Sequence, residues 1–260
     1  MSAPSATAAR GQALTRREVV IWNVLMLLAR NQRENWPMLL LTSSIVPFVI
    51  MSVSTRLGSV ADPTKIMHLL AGNIVLSLLF GPLMRTAMVI AYLRERQVLE
   101  HFATLPIRKS DFLTAVLLNC LGQSLPGIAI LLILCRVLLG IQVTIHPALT
   151  PIAILASLSM AMVGAAIGVV AREPGRTRVA AESVMGLLLF LSPGFARIES
   201  YPYPLRAISA MLPSTYAVRA LRETLCNTVT GTTLAAASVV AAFTLTLLWF
   251  TSRRLDWNVE

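Results

Sequence analysis

The sequence predicts an all-α membrane protein with six transmembrane helices. Three observations lead there. Only 13% of the 260 residues are charged and 56% are hydrophobic, against about 25% charged in a soluble domain. The mean hydropathy is +0.72, and apolar runs near the ~20 residues that one span requires recur from residue 36 to residue 251. The basic residues, finally, cluster at the ends of those runs.

Residues 15–31 read as a helix with Arg16, Asn23 and Arg30 recurring every seven residues on one face. It is too short to span and has basic flanks, which fits a helix lying in the cytoplasmic interface or an extension of the first span. That span covers about 36–54, with Pro37 at its start, where a missing N–H costs least. A polar loop holding Gly58 and Asp62-Pro63 leads to the second span, about 66–93. A charged stretch, 94–111, precedes the third, about 112–139, broken by Pro126-Gly127. The fourth is about 150–171. A polar loop over 172–178 carries Pro174-Gly175, and the fifth, about 179–195, is interrupted by Glu182. The mixed segment 196–231 leads to the sixth, about 232–251. The apolar run 19–29 ends on Arg30-Asn31-Gln32-Arg33 rather than on small residues, so no signal cleavage is expected. Residues 1–260 are expected to form one membrane domain without an attached soluble domain.

Six spans put both termini on one side. That side carries 14 Lys and Arg, the other 7, and the excess places both termini in the cytoplasm. The same bias accounts for the net charge of +10 and the pI near 10.7. Almost no aromatic residues interleave with the basic ones, so nucleic acid is not an expected partner. Four of the outer arginines, Arg197, Arg206, Arg219 and Arg222, crowd into 196–231 and are the feature this count fits least.

Several chemistries are excluded. A phosphate-cradling loop needs Gly-x-x-x-x-Gly-Lys-Ser/Thr; the two lysines, Lys65 and Lys109, do not follow a glycine. His68, His101 and His146 are scattered, and Cys120, Cys135 and Cys226 give no metal-ligand spacing. No catalytic residue, metal or directly bound cofactor is expected.

The most informative segment lies between the second and third spans. Read as a helix, Val98, Phe102 and Leu105 fall on one face at i, i+4 and i+7, with Leu99 widening the stripe. Glu95, Arg96, Glu100 and His101 supply the polar remainder, and Pro106 ends the helix. Such a helix fits docking into a groove on a partner, and it equally fits an interfacial helix lying on lipid.

This segment resembles the cytoplasmic coupling helix of ABC type-2 transporter permeases. The likeness rests on Glu95-Arg96, Val98-Leu99, Thr104-Leu105-Pro106-Ile107 and Asp111-Phe112-Leu113, with Gln97 where family members often have Gly. A second likeness runs from Leu191-Ser192-Pro193-Gly194-Phe195 through Tyr201-Pro202-Tyr203-Pro204 to Leu212-Pro213-Ser214-Thr215-Tyr216 and Leu221-Arg222. It resembles the family's segment before the last span, which forms short outer re-entrant helices; that implies roles there for Ser192, Gly194, Pro213 and Tyr216, and offers an account of the outer arginines. The resemblance covers about residues 14–254. It implies a permease in the cell (inner) membrane, with a coupling helix at about 95–106. It also implies a second permease subunit, identical or a sister, and a separate ABC ATPase that binds ATP and Mg2+. The expected cargo is an amphipathic drug, antibiotic or lipid-like molecule; a polysaccharide or lipid-linked glycan is the alternative within the class, and an ATP-independent membrane carrier the alternative outside it.

Within the spans, Arg85 is an intramembrane charge. It fits either a pair with Glu182 or snorkelling to the headgroups. Gly164 and Gly168 form Gly-x-x-x-Gly, which suits packing within the subunit or between subunits. Asn73, Asn119, Gln123 and Ser124 fit a polar pathway or ordinary interhelical hydrogen bonds.

Overall fold

A computed structural model describes residue 26 and residues 36–57, 63–98, 109–141, 146–171, 173–192 and 202–254. Every element among them is helical: α1 (Trp36–Leu57), α2 (Pro63–Leu78), a π-helical turn (Leu79–Leu83), α3 (Met84–Glu95), α4 (Lys109–Leu139), α5 (Leu149–Ala171), α6 (Pro174–Leu191), α7 (Tyr203–Met211), α8 (Pro213–Leu225) and α9 (Gly231–Arg254). Among the described residues four helices are long and apolar enough to cross a membrane: Lys65–Glu95, Asp111–Leu139, Leu149–Ala171 and Gly231–Arg254. They coincide with the expected second, third, fourth and sixth spans. The expected first and fifth spans fall on α1 and α6. The interfacial helix at 15–31 lies outside the described residues apart from Met26, which is exposed.

Two boundaries depart from expectation. Pro126 does not break the third span, since α4 runs unbroken for 31 residues. Beside the proline, Ser44 Oγ of α1 donates to the Gly127 carbonyl at 3.0 Å, a polar tie between α1 and α4. Pro174-Gly175 are not a loop. Pro174 opens α6, where its fixed φ suits the first turn, so α6 starts five residues before the expected span.

The π turn has a local cause. Pro82 has no N–H to return to a preceding carbonyl, and the chain widens there, with the Met84 N–H bonded to the Leu79 carbonyl five residues back.

The bundle has an inside and an outside. About two-thirds (67%) of the most apolar window of Lys65–Glu95 is buried, and 61% of that in α5; in α4 and α9 the shares are 33% and 17%. The first two are therefore the centre. Leu70, Ile74, Leu78 and Leu83 pack with Met160 and Ala153 of α5 in the larger core. Ile90 and Leu93 pack with Phe112, Met162 and Val169 in the smaller one. The helices around them turn apolar side chains outward. On α1, Leu41, Ile45, Val49 and Val53 recur every fourth residue as an exposed stripe. On α4 and α9, Ile133, Val137, Leu234, Leu245 and Trp249 do the same. Such surface suits lipid or a protein partner rather than water. Near the end of α9, Arg253 lies over the Trp249 ring at 4.3 Å, an arrangement suited to a membrane boundary.

Backbone contact makes the centre. A Cβ on Gly164 would lie 2.1 Å from the Leu83 carbonyl oxygen, and one on Gly168 2.7 Å from that of Ala87. The Gly-x-x-x-Gly motif thus serves packing within the chain, seating α5 on the π turn and α3. Gly164→Ala is expected to destabilise the protein by about 3 kcal/mol and Gly168→Ala by about 1–2 kcal/mol, as overpacking does. Gly122, where a Cβ would meet nothing within 4 Å, should accept alanine at no cost or with a small gain. Thermal melting of the three purified variants checks the order.

Candidate functional site

Three regions of the fold hold the residues singled out by the sequence. The first is the end of α3. Arg94 Nη1 donates to the Val169 carbonyl at 3.2 Å, tying the ends of α3 and α5 together. Arg96 lies over the Tyr92 ring at 4.7 Å, and Glu95 and Arg96 are exposed. The helix stops because Gln97 takes φ 56°, with its N–H on the Arg94 carbonyl at 2.9 Å. This is the left-handed geometry glycine takes at a helix end, so Gln97 occupies a glycine-type position. Val98 is half-buried and packs against the cluster of Ile90, Leu93 and Phe112, so its apolar side is met by the chain itself. Leu99, Phe102, Leu105 and Pro106 lie outside the described residues.

The second region is the segment before α9. Pro213 begins α8, following extended Leu212. Thr215 Oγ1 donates to the Ser209 carbonyl at 2.6 Å, and Tyr216 Oη to the Ala210 carbonyl at 2.9 Å. The run Leu-Pro-Ser-Thr-Tyr therefore makes a helix-to-helix joint, in which the proline starts one helix while the next hydroxyls satisfy the last carbonyls of the previous one. Ser192 is buried at the end of α6; Gly194 lies outside the described residues.

One residue here was missed by sequence reasoning. Glu223 Oε1 accepts from Arg219 Nε at 3.2 Å, and Oε2 accepts from Thr232 and Thr233 at 3.0 and 2.5 Å. The carboxylate thus joins α8 to the first turn of α9, where negative charge suits the helix dipole. Between them Asn227 takes φ 55°, and Thr228 N–H returns to the Glu223 carbonyl at 2.9 Å, a Schellman ending. The sequence signals were Arg219 four residues before Glu223 and the run Thr230-Gly231-Thr232-Thr233. Burial alone would raise the carboxyl pKa; the hydroxyls of Thr233 and Thr232 and the guanidinium of Arg219 outweigh it and hold the group below its ordinary 4.5.

The third region is the Arg85 neighbourhood. The candidate Arg85–Glu182 pair is not formed. Glu182 Oε1 accepts instead from Arg178 Nε, one turn away on the same helix, at 2.9 Å with both side chains exposed. An i,i+4 partner needs no displacement of a second helix, whereas Arg85 is directed to a cavity between the π turn, α1 and α4. Ser43, Gln123 and Ser124 line that cavity with it. Ser124 is also hydrogen-bonded to Ser157 of α5 at 2.6 Å. Asn73 is buried, with Nδ2 on the Leu69 carbonyl at 2.8 Å.

The three regions are an exposed charged end of α3, a hydrogen-bonded elbow before α9 and a small cavity of mixed lining that holds Arg85. The family model described as ABC-2 type transporter matches residues 15–226. A comparison with curated proteins finds no match.

Two expectations follow. Gln97→Gly should change stability by less than about 0.5 kcal/mol, while Gln97→Val should cost about 1–2 kcal/mol because branched residues resist the left-handed region; melting of both variants tests this. For Glu223 the lowered folded value means that its contribution is complete above the ordinary pKa of 4.5 and is lost as pH falls through the lowered one. Melting temperature should drop on acidification below that value. Glu223→Gln should melt lower at neutral pH and lose that part of the acid response.

Proposed function

The chain belongs to the ABC-2 type transporter family, and from that membership we propose that it is the membrane-spanning permease subunit of an ATP-driven exporter. It is a multi-pass membrane protein, and the family implies an ABC ATPase partner in general. The observation that carries the reading is the family match across residues 15–226, which takes in every expected span but the last. Finer assignments belong to the same proposal: six spans with both termini cytoplasmic, α7 and α8 as outer re-entrant helices, and a second permease subunit alongside the first. The cargo is an amphipathic drug, antibiotic or lipid-like molecule, as in multidrug efflux.

The proposed division of labour follows from the chain's chemistry. Only two lysines are present and neither stands in a phosphate-binding loop, so ATP and Mg2+ belong to the partner. Force then enters through residues 95–106. Glu95 and Arg96 are exposed for polar contact, and Arg94 fixes the end of α3 to α5. A push on this segment is delivered to the two central helices rather than to one. The apolar docking side falls to Leu99, Phe102 and Leu105, since Val98 faces the chain's own core.

The test is a mild-detergent pull-down of the tagged protein, with the ATPase activity of the captured material measured. Wild type should bring down an ATPase. Phe102→Asp with Leu105→Asp should lose it while melting as wild type does. Absence of any ATPase from the wild-type capture and from the lysate would replace this reading with an ATP-independent carrier.

A further inference from the structure

Arg85 is a cation set inside a membrane helix. Ten residues separate it from Glu95, about 15 Å of helix. Its side chain is partly buried, and its Nη2 atom is shut off from the surface and meets no acceptor among the described residues. The four apolar helices hold no Asp or Glu except Glu95 and Asp111, at their ends. Glu182 is held by Arg178. The bundle therefore holds a partly buried positive charge with no carboxylate paired to it among the described residues, a state that an anion would relieve.

The surroundings describe that anion. The cavity has a volume of about 20 Å3, room for about one water-sized group. Ser43 Oγ donates to the Leu40 carbonyl at 3.2 Å and Gln123 Nε2 to Asn119 Oδ1 at 3.4 Å, so the donor in this lining without an acceptor among the described residues is Arg85 Nη2, a charged group that suits an anionic oxygen. Leu40 and Phe80, both half-buried, line the same cavity, and the exposed stripe of α1 begins beside them at Leu41 and Ile45. The approach is apolar. We propose that the Arg85 cavity binds one oxygen of a phosphate or carboxylate head, carried by an amphiphile whose apolar part stays outside along Leu40 and Phe80. The π turn is part of the site, because Gly81 and Pro82 form one wall. A helix widened at this point is a recurrent mark of functional positions. The assignment concerns binding and stands whether or not the cavity lies on a transport path.

The test uses the full chain purified in a neutral detergent, with two probes, dodecyl phosphate and phosphatidylglycerol, and equilibrium binding as readout. Arg85→Gln should weaken binding about tenfold or more, as loss of a charge-assisted contact does. Arg136→Gln, a change at an exposed arginine of α4, should leave it unchanged. Gly81→Ala places a methyl 3.6 Å from Ser43 Cβ without a clash, narrowing the cavity at constant charge, and should weaken binding about threefold or more. Phosphatidylglycerol that stays with wild type through purification and displaces dodecyl phosphate identifies a resident lipid headgroup. Dodecyl phosphate bound without competition from phosphatidylglycerol identifies a smaller, free amphiphile. Binding of both probes unchanged in Arg85→Gln overturns the proposal; should that variant not fold, binding unchanged in Gly81→Ala overturns it.

Discussion

The contact between two glycines of α5 and the carbonyls of Leu83 and Ala87 is the constraint on which the rest of the bundle depends. In lipid there is no hydrophobic force between helices, because the solvent is as apolar as leucine; association rests on close packing and on polar contacts. Gly164 and Gly168 let one backbone lie on another with no room for even a methyl group. Once α5 is seated there, its remaining faces meet α4, α6, α8 and α9. The positions of those helices are defined relative to α5, and their outward faces are left for lipid.

Polar contacts then fix rotation and register where packing alone would allow slip. Ser44 holds α1 to α4, Ser124 and Ser157 hold α4 to α5, and Arg94 holds the end of α3 to the end of α5. Each removes a polar group from an environment without water, so each has a cost if displaced. The same economy explains the elbow before α9. Two short helices end and begin within a few residues, which exposes orphan carbonyls and amides at four termini. Thr215, Tyr216, Asn227 and Glu223 answer for several of them.

The sequence was legible where the physics is one-dimensional. Span length and apolarity located the helices, because thickness of the hydrocarbon sets both. Gly164 and Gly168 were legible as a seam but not as to its partner, which lies some eighty residues earlier in the chain. Proline was the weak point. Pro126 reads as a break and is absorbed, Pro174 reads as a loop and opens a helix, and Pro82 coincides with a π turn that no periodicity marks. A proline's effect depends on what neighbouring helices offer the backbone, and a single sequence does not carry that. The Arg85–Glu182 pair failed for a related reason. Similar depth is a one-dimensional argument, while pairing depends on which way each helix is turned and on a nearer competitor, here Arg178. Glu223 was missed because its partners lie on both sides of a turn, and no periodicity links them.

These contacts also divide the bundle by stiffness. On one side, α3 and α5 share a glycine seam and an arginine tie at the same end, so they respond to force as one body. On the other, α1 and α4 are joined by the Ser44–Gly127 hydrogen bond and meet the π turn across a small cavity; the closest glycine contact there is looser, a Cβ on Gly127 lying 3.0 Å from Ser43 Oγ rather than against backbone. The helix departs from α-helical bonding at the wall of that cavity formed by Gly81 and Pro82. Arg85 stands one turn beyond it, so any change in the π turn alters how the guanidinium is presented to Ser43 and Gln123. The charge and the irregular backbone are thus one structural element, with the π turn forming a wall of the cavity that Arg85 lines.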